Sequence, residues 1–387
     1  MKYIHPFPAR MAPEIAFNSL SNLTSKSIVL DPMCGSGMVL RAASEMGYKS
    51  IGCDIDPLAI LISRVSVRRY DEVRSLKSAE KFLKYAKALD GRSIVLEWID
   101  NDFDTKNFIS YWFGSKQRLQ LRKLARELVE NNAKLDKQVL DLFRVAISRL
   151  IVTKKATASL AQDTSHSRPH KVLDDSPYDI FSEFVRSVKS VLKITSQRTG
   201  KGMCSIYQRD ATQTKLKDGA VDLIITSPPY LNAIDYMRAH KFSLIWFGYS
   251  LDQLKKISTA SIGFESSNRR GDSDKFIKDH GLNVLNARQK STIENYVMDA
   301  HRQVLESYRV LRKGGQACYV IGDSRLKGRI VPNHLAFVDA ANRIGLDIVS
   351  VTRRKIPERS RYLPTPTRNG SSLGQRMKLE RVIVFEK

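Results

Sequence analysis

The sequence predicts an α/β fold built on a mostly parallel sheet and interrupted by a large helical insertion. Three observations carry that expectation: a strand–turn–helix–strand unit over residues 27–62, a long stretch of helical spacing behind it, and a return of buried strands after residue 200. The 387 residues suffice for one large domain with an insertion, or for two domains.

The first unit reads in order. "SIVLD" is a short buried strand, "PMCGSG" a tight glycine turn, "MVLRAASEMGY" a helix, and "KSIGCDID" a second strand ending in acids. Such a turn lets backbone N–H groups and a helix N-terminus approach a ligand closely. The order D-P-x-C-G-S-G departs from the G-x-G-x-x-G dinucleotide pattern. From about residue 63 to 200 the apolar spacing is helical, with many Lys and Arg, as in "SAEKFLKYAKAL" and "LDKQVLDLFRVAISRLIV".

Strands then resume as "MCSIYQ" and "AVDLIIT". The second runs straight into Pro228 and Pro229, which cannot donate ladder hydrogen bonds. Ser227, Pro228 and Tyr230 are thereby held at the carboxyl end of a strand, where open α/β sheets place ligands. A stiff strand exit without chemistry is the plainer reading of this segment taken alone. "SSNRRGDSDK" reads as a mobile loop, "IENYVMDAHRQVLESYRVLRKGG" as an amphipathic helix ending at glycine, and "QACYVIGD", "DIVSVTRRKI" and "KLERVIVFEK" as the last strands.

Lys and Arg number 64 against 40 Asp and Glu, a net charge of +24. That field favours a polyanion such as DNA or RNA over an anionic membrane surface. No run of about 18 apolar residues suggests a membrane span. The start MKYIHPFPAR lacks a signal peptide's apolar core, so a cytoplasmic protein is expected. The four cysteines are far apart, without zinc-ligand spacing, and are expected to be reduced.

"DPMCGSG" with a downstream "TSPPY" resembles the amino-directed, S-adenosylmethionine-dependent DNA methyltransferases, which methylate N6 of adenine or N4 of cytosine. "HPFPARMAPEIA" is similar to their segment that closes the cofactor site, and "RDAT" to the acidic loop that meets the cofactor's adenine. The resemblance spans roughly residues 3–62 and 203–387 and leaves out the insertion. It implies a Rossmann-like class I methyltransferase fold with a seven-stranded sheet. The catalytic domain would comprise 1–62 and 201–387, and 63–200 would be a helical insertion for target recognition or partner binding.

The resemblance also implies roles. Asp31, Pro32, Cys34, Gly35 and Gly37 match the loop around the methionine part of S-adenosylmethionine. Asp54 matches the ribose-binding acid, Ile55 lies beside the adenine, and Asp210 with Ala211 faces the adenine amine. His5, Pro6 and Arg10 belong to the closing segment. Ser227, Pro228, Pro229 and Tyr230 match the catalytic tetrapeptide, whose serine form is more typical of the N4-cytosine enzymes. Two acceptors, Ser227 Oγ and the Pro228 carbonyl, would engage the amine protons, and Tyr230 would stack on an extruded base.

Three further stretches stay open between readings. "DTSHSRPHK" (163–171) is a polar loop, a phosphate contact through His166 and Arg168, or a metal site. In "YMRAHKF", Arg238, His240 and Lys241 contact nucleic acid or pack in a helix. The arginine-rich "RRKIPERSRYLPTPTRNGSSLGQRMK", with Arg361, Tyr362 and Arg368, is a basic loop over a substrate cleft or a plain surface loop. The expected partner is double-stranded DNA, with RNA behind it, and a homodimer or a defence-system protein as further partners. The competing functions are a tRNA guanine-N2 methyltransferase and a non-catalytic nucleic-acid-binding subunit.

Overall fold

The computed structural model describes residues 2–7, 10–130, 135–166, 168–231, 235–259, 271–357 and 379–387. Arg361, Tyr362 and Arg368 lie outside the described residues.

Among the described residues eleven strands follow in chain order: β1 (Ile28–Asp31), β2 (Lys49–Asp54), β3 (Ala161–Gln162), β4 (His170–Lys171), β5 (Cys204–Gln208), β6 (Val221–Thr226), β7 (Leu311–Gly322), β8 (Ser324–Leu326), β9 (Arg329–Val331), β10 (Asp347–Lys355) and β11 (Leu379–Glu386). Seven form one sheet in the order β10-β11-β7-β6-β1-β2-β5. β6, β1, β2 and β5 pair in parallel with their neighbours, and β11 runs antiparallel to both β7 and β10. The expected Rossmann-like, mostly parallel seven-stranded sheet is therefore present.

Alternation along each strand divides the core. Leu30, Ile224, Ala317, Tyr319, Ile321 and Phe385 pack with the helices Ala287–Val310 and Asn333–Ile344 on one face. Val29, Leu223, Ile225, Cys318 and Val320 pack with the helices Pro13–Leu20 and Met38–Glu45 on the other. Strands buried on both faces read as near-continuous apolar runs, as "IVL" and "LIIT" do.

The helix Pro57–Val67 follows β2 and is capped by Asp56, whose side chain accepts from the Leu58 N–H. It packs on β2 and β5 and runs continuously across the expected boundary at residue 62. Among the described residues between Glu72 and Thr195 six α-helices come next, with the β3–β4 ribbon among them. Their core is continuous with Leu58 and Ile62, with Ile4 and Phe7, and with Phe242 and Trp246 behind the tetrapeptide.

Two local readings are corrected. The long helix ends at Val310 rather than at glycine, because Leu311 turns extended (φ −69, ψ 136) and begins β7. Of "SSNRRGDSDK", expected as a loop, residues from 271 onward form the helix Gly271–Asp279, and those before 271 lie outside the described residues. Among the described residues no helix is long and apolar enough to cross a membrane.

Candidate active site

β1 lies between β2 and β6, so the connections leave in opposite directions on either side of it. A crevice opens at the carboxyl ends of strands flanking such a switch point. Asp31, Asp54 and the Ser227–Tyr230 tetrapeptide all leave the sheet at that edge.

The glycine loop is held from several sides. The Cys34 N–H donates to the Cys53 carbonyl (2.8 Å), and the Gly37 N–H to the Cys34 carbonyl (2.7 Å). Gly35 and Gly37 have φ of +47° and +75°, the left-handed region that favours glycine. A Cβ on Gly37 would lie 3.0 Å from Ser63 Cα, and one on Gly35 would press on the Phe7 ring at 3.3 Å. Ser63, on the helix Pro57–Val67, donates to the Gly35 carbonyl (2.8 Å). Sequence reasoning missed Ser63, whose role depends on a helix crossing that no local pattern reveals.

The acids form a row. Asp31 is buried and accepts from the Met33 N–H (3.2 Å). Asp54 accepts from the Gly35 N–H (2.8 Å) and the Asp56 N–H (3.0 Å). Burial raises both carboxyls, Asp31 to about 7 and Asp54 to about 6, and neighbouring carboxylates push in the same direction. Asp210, beyond the end of β5, accepts from the N–H and hydroxyl of Thr212 (2.7 and 2.9 Å). Ala211 and Pro32 are buried, and the half-buried Ile55 accepts at its carbonyl from Gln208 Nε2 (3.2 Å). Cys34 is buried and its thiol is pushed well up. All four cysteines are free.

The N-terminal segment is tied to the insertion. His5 Nε2 is bonded to Ser148 Oγ (2.9 Å), which is bonded in turn to Ser243 Oγ (2.9 Å). Arg149 donates to the Ile4 carbonyl and Arg10 to the His5 carbonyl. Burial pushes the His5 pKa well below its usual value. Pro6 is half-buried, and Phe7 stacks on Tyr236 (5.3 Å between centroids, 25°).

Ser227 donates its hydroxyl proton to the Val320 carbonyl (3.0 Å). Pro228 is buried; Pro229 and Tyr230 are half-buried. Tyr230 packs against the cluster that contains Tyr296, whose hydroxyl burial pushes well up.

The expected nucleic-acid contacts scatter. His240 is fully buried, with Nδ1 bonded to Asp56, which corrects its assignment as a surface contact. The helix Tyr236–Leu244 turns His240 inward, beside Phe7. Lys241 is half-buried, 5.0 Å from the Phe108 ring, and burial lowers its pKa. Arg238 is exposed, 3.4 Å from Asp235. His166 is exposed, 3.5 Å from Asp163, and Arg168 is half-buried with its N–H on the Asp163 carbonyl (3.2 Å).

This donor set fits S-adenosylmethionine. Buried carboxyls held above their usual pKa are relieved by a cation, and the methionine end carries an ammonium and a sulfonium. Asp54 keeps lone pairs for ribose hydroxyls after its two backbone bonds. Sheet order, glycine loop and acid row together define an S-adenosylmethionine-dependent methyltransferase.

The model of the DNA methylase family matches residues 2–64. The type II methyltransferase M.MvaI of Kocuria varians is 20% identical over 395 residues, covering 92% of this chain and 84% of that protein. M.BsoBI of Geobacillus stearothermophilus is 21% identical over 389 residues, covering 85% and 75%. A tRNA (guanine(10)-N2)-dimethyltransferase of Methanocaldococcus jannaschii is 46% identical over 57 residues, 14% of this chain and 16% of that protein. Among solved structures, an S-adenosylmethionine-dependent methyltransferase of Methanosarcina mazei aligns over 98% of this chain and 99% of its own, at 11% identity and a TM-score of 0.36. Residues 2–64 thus match the DNA methylase family, and most of the chain's length is similar to type II methyltransferases.

Proposed function

We propose that the protein methylates the N4 amine of cytosine in duplex DNA, on a base flipped into the Ser227–Tyr230 site, within a restriction-modification or phage-defence setting. The observation that carries this is the Ser227 hydroxyl. Its single proton goes to the Val320 carbonyl, which leaves its oxygen the acceptor role.

Cytosine's exocyclic amine is a poor nucleophile because its lone pair is delocalised into the ring. Acceptors at its two protons favour a pyramidal nitrogen with a free pair. Ser227 Oγ and the Pro228 carbonyl serve as those acceptors, and the rigid proline pair holds them in place. Tyr230 offers a ring for the flipped base. When bound, S-adenosylmethionine would supply an electrophilic methyl to the amine's lone pair and keep the S–C electron pair on sulfur, and the amine proton would pass to solvent. Asp31 and Asp54 orient the cationic and ribose ends.

Nucleoside mass spectrometry after incubation with labelled methyl donor tests this. N4-methylcytosine in duplex DNA is expected. N6-methyladenine would move the target base. Label in tRNA alone would favour the RNA reading, for which the 57-residue match speaks.

A further inference from the structure

Directly after β7 the chain folds into the hairpin β8–β9, with Leu326 opposite Arg329. Lys327 and Gly328 form the turn, at φ +47° and +83°. Two left-handed residues in a two-residue loop define a type I′ turn, which prefers Asn-Gly or Asp-Gly. Lysine here sets a cation at the tip at the expense of backbone strain, and such departures cluster at functional sites.

The hairpin's root is fixed beside the chemistry. Ser324 Oγ donates to the carbonyl of Leu231, the residue after Tyr230 (2.6 Å). Asn333 Nδ2 donates to Ser324 Oγ (2.7 Å) and to the Gly322 carbonyl (2.9 Å). Ser324, Leu326 and Val331 are buried beneath it, while Arg325, Lys327 and Arg329 are exposed. Ile330, the cross-strand partner of Arg325, is 53% exposed. Arg325 reaches only the Gly328 carbonyl (3.3 Å), and among the described residues none of the three cations forms an ion pair.

We propose that residues 324–331 are a backbone clamp for duplex DNA: Arg325, Lys327 and Arg329 contact phosphates flanking the flipped base. This rests on the DNA reading of the site. Phosphate contacts fix register without reading sequence, which suits cations on a rigid, tethered ribbon. Ile330 supplies an apolar contact on the face that carries Arg325.

The test uses the full chain with a labelled duplex oligonucleotide and, in parallel, a tRNA, each titrated across salt concentrations. Lys327→Asn restores the preferred turn residue, so its thermal midpoint should equal or exceed wild type. Its affinity for duplex should nevertheless fall about eightfold at roughly 0.1 M salt, and the salt slope by about 0.9, the effect of one lost phosphate contact. An Arg325→Ser/Lys327→Asn/Arg329→Ser variant should lose about three such contacts while binding S-adenosylmethionine as wild type does. Lys313→Ser, near the opposite edge of the sheet, should change neither. Wild-type duplex affinity and slope in the triple variant would overturn the clamp and leave the DNA reading standing. A wild-type protein that binds only tRNA would overturn the DNA reading and the clamp's partner with it.

Discussion

His240 Nδ1 is hydrogen-bonded to Asp56 Oδ2, and this buried contact joins the helix behind the tetrapeptide to the turn behind Asp54. Asp56 does three things at once: it caps the helix Pro57–Val67, gives its N–H to Asp54, and receives His240. The cofactor half and the chemistry half of the site are therefore mechanically linked. His240→Ala would leave a buried carboxylate oxygen unpartnered, at a cost of about 2–3 kcal/mol. We expect a lower unfolding midpoint and weaker S-adenosylmethionine binding by calorimetry, with His240→Asn recovering part of both. Wild-type binding in His240→Ala would show the link to be idle.

Ser227→Ala should separate chemistry from binding. Its hydroxyl touches the Val320 carbonyl and none of the cofactor acids, so cofactor affinity should hold. Turnover should fall on the order of 10²-fold, as for an interaction made chiefly in the transition state. Single-turnover kinetics with saturating donor would measure it, and a variant as fast as wild type would remove Ser227 from the chemistry.

Asp31 should make both stability and binding depend on pH. Its folded-state pKa of about 7 lies above the unfolded value of about 3.9. The folded protein thus holds the extra proton between those values, and stability declines as pH rises through that window. Cofactor binding runs the other way, tightening up to about pH 7 as the carboxylate becomes available to the cation. Asp31→Asn should make both profiles shallower, leaving the part due to Asp54, and weaken binding, and denaturant melts and calorimetry across pH would follow them.

Gly37→Ala and Gly47→Ala make a matched pair. Both glycines have positive φ, +75° and +83°, so each substitution costs about 1–2 kcal/mol in backbone conformation. An added Cβ meets nothing within 4 Å at Gly47, but lies 3.0 Å from Ser63 at Gly37. Gly37→Ala should be the more destabilising by chemical denaturation and should also weaken cofactor binding. Equal losses would show that Ser63 yields freely.

The glycine loop, Asp54 and the tetrapeptide were legible because their signals are local: a strand, a turn and an acid in one short unit. The choice between contact and packing at His240 was not legible, because its helix carries cations at exposed and buried positions alike and only packing against Phe7 decides which face turns inward. The helix across residue 62 had a usable signal, the Asp56–Pro57 pair, since Asp caps helices and Pro suits their first position. Lys327–Gly328 between two short apolar-bearing runs was the trace of the hairpin, hidden because lysine is an unusual turn residue there. The helix-to-strand change at Leu311 left no trace, since "RVLRKGG" has helical spacing and the pull of the sheet wins.

The pairing of β1 with β6 has a temporal consequence. The Ile28 N–H is bonded to the Asp222 carboxylate across 194 residues of chain, and the two halves of the site leave the other, carboxyl ends of the same two strands. During synthesis the glycine loop leaves the ribosome long before the tetrapeptide exists, with the helical insertion emerging in between. A nascent chain can begin the donor side and part of the insertion early, but the insertion's core waits for Phe242 and Trp246, and long-range parallel pairing is slow and comes last. Methyl transfer therefore becomes possible only once β6 has slotted beside β1, so translation itself withholds the activity from unfinished chains.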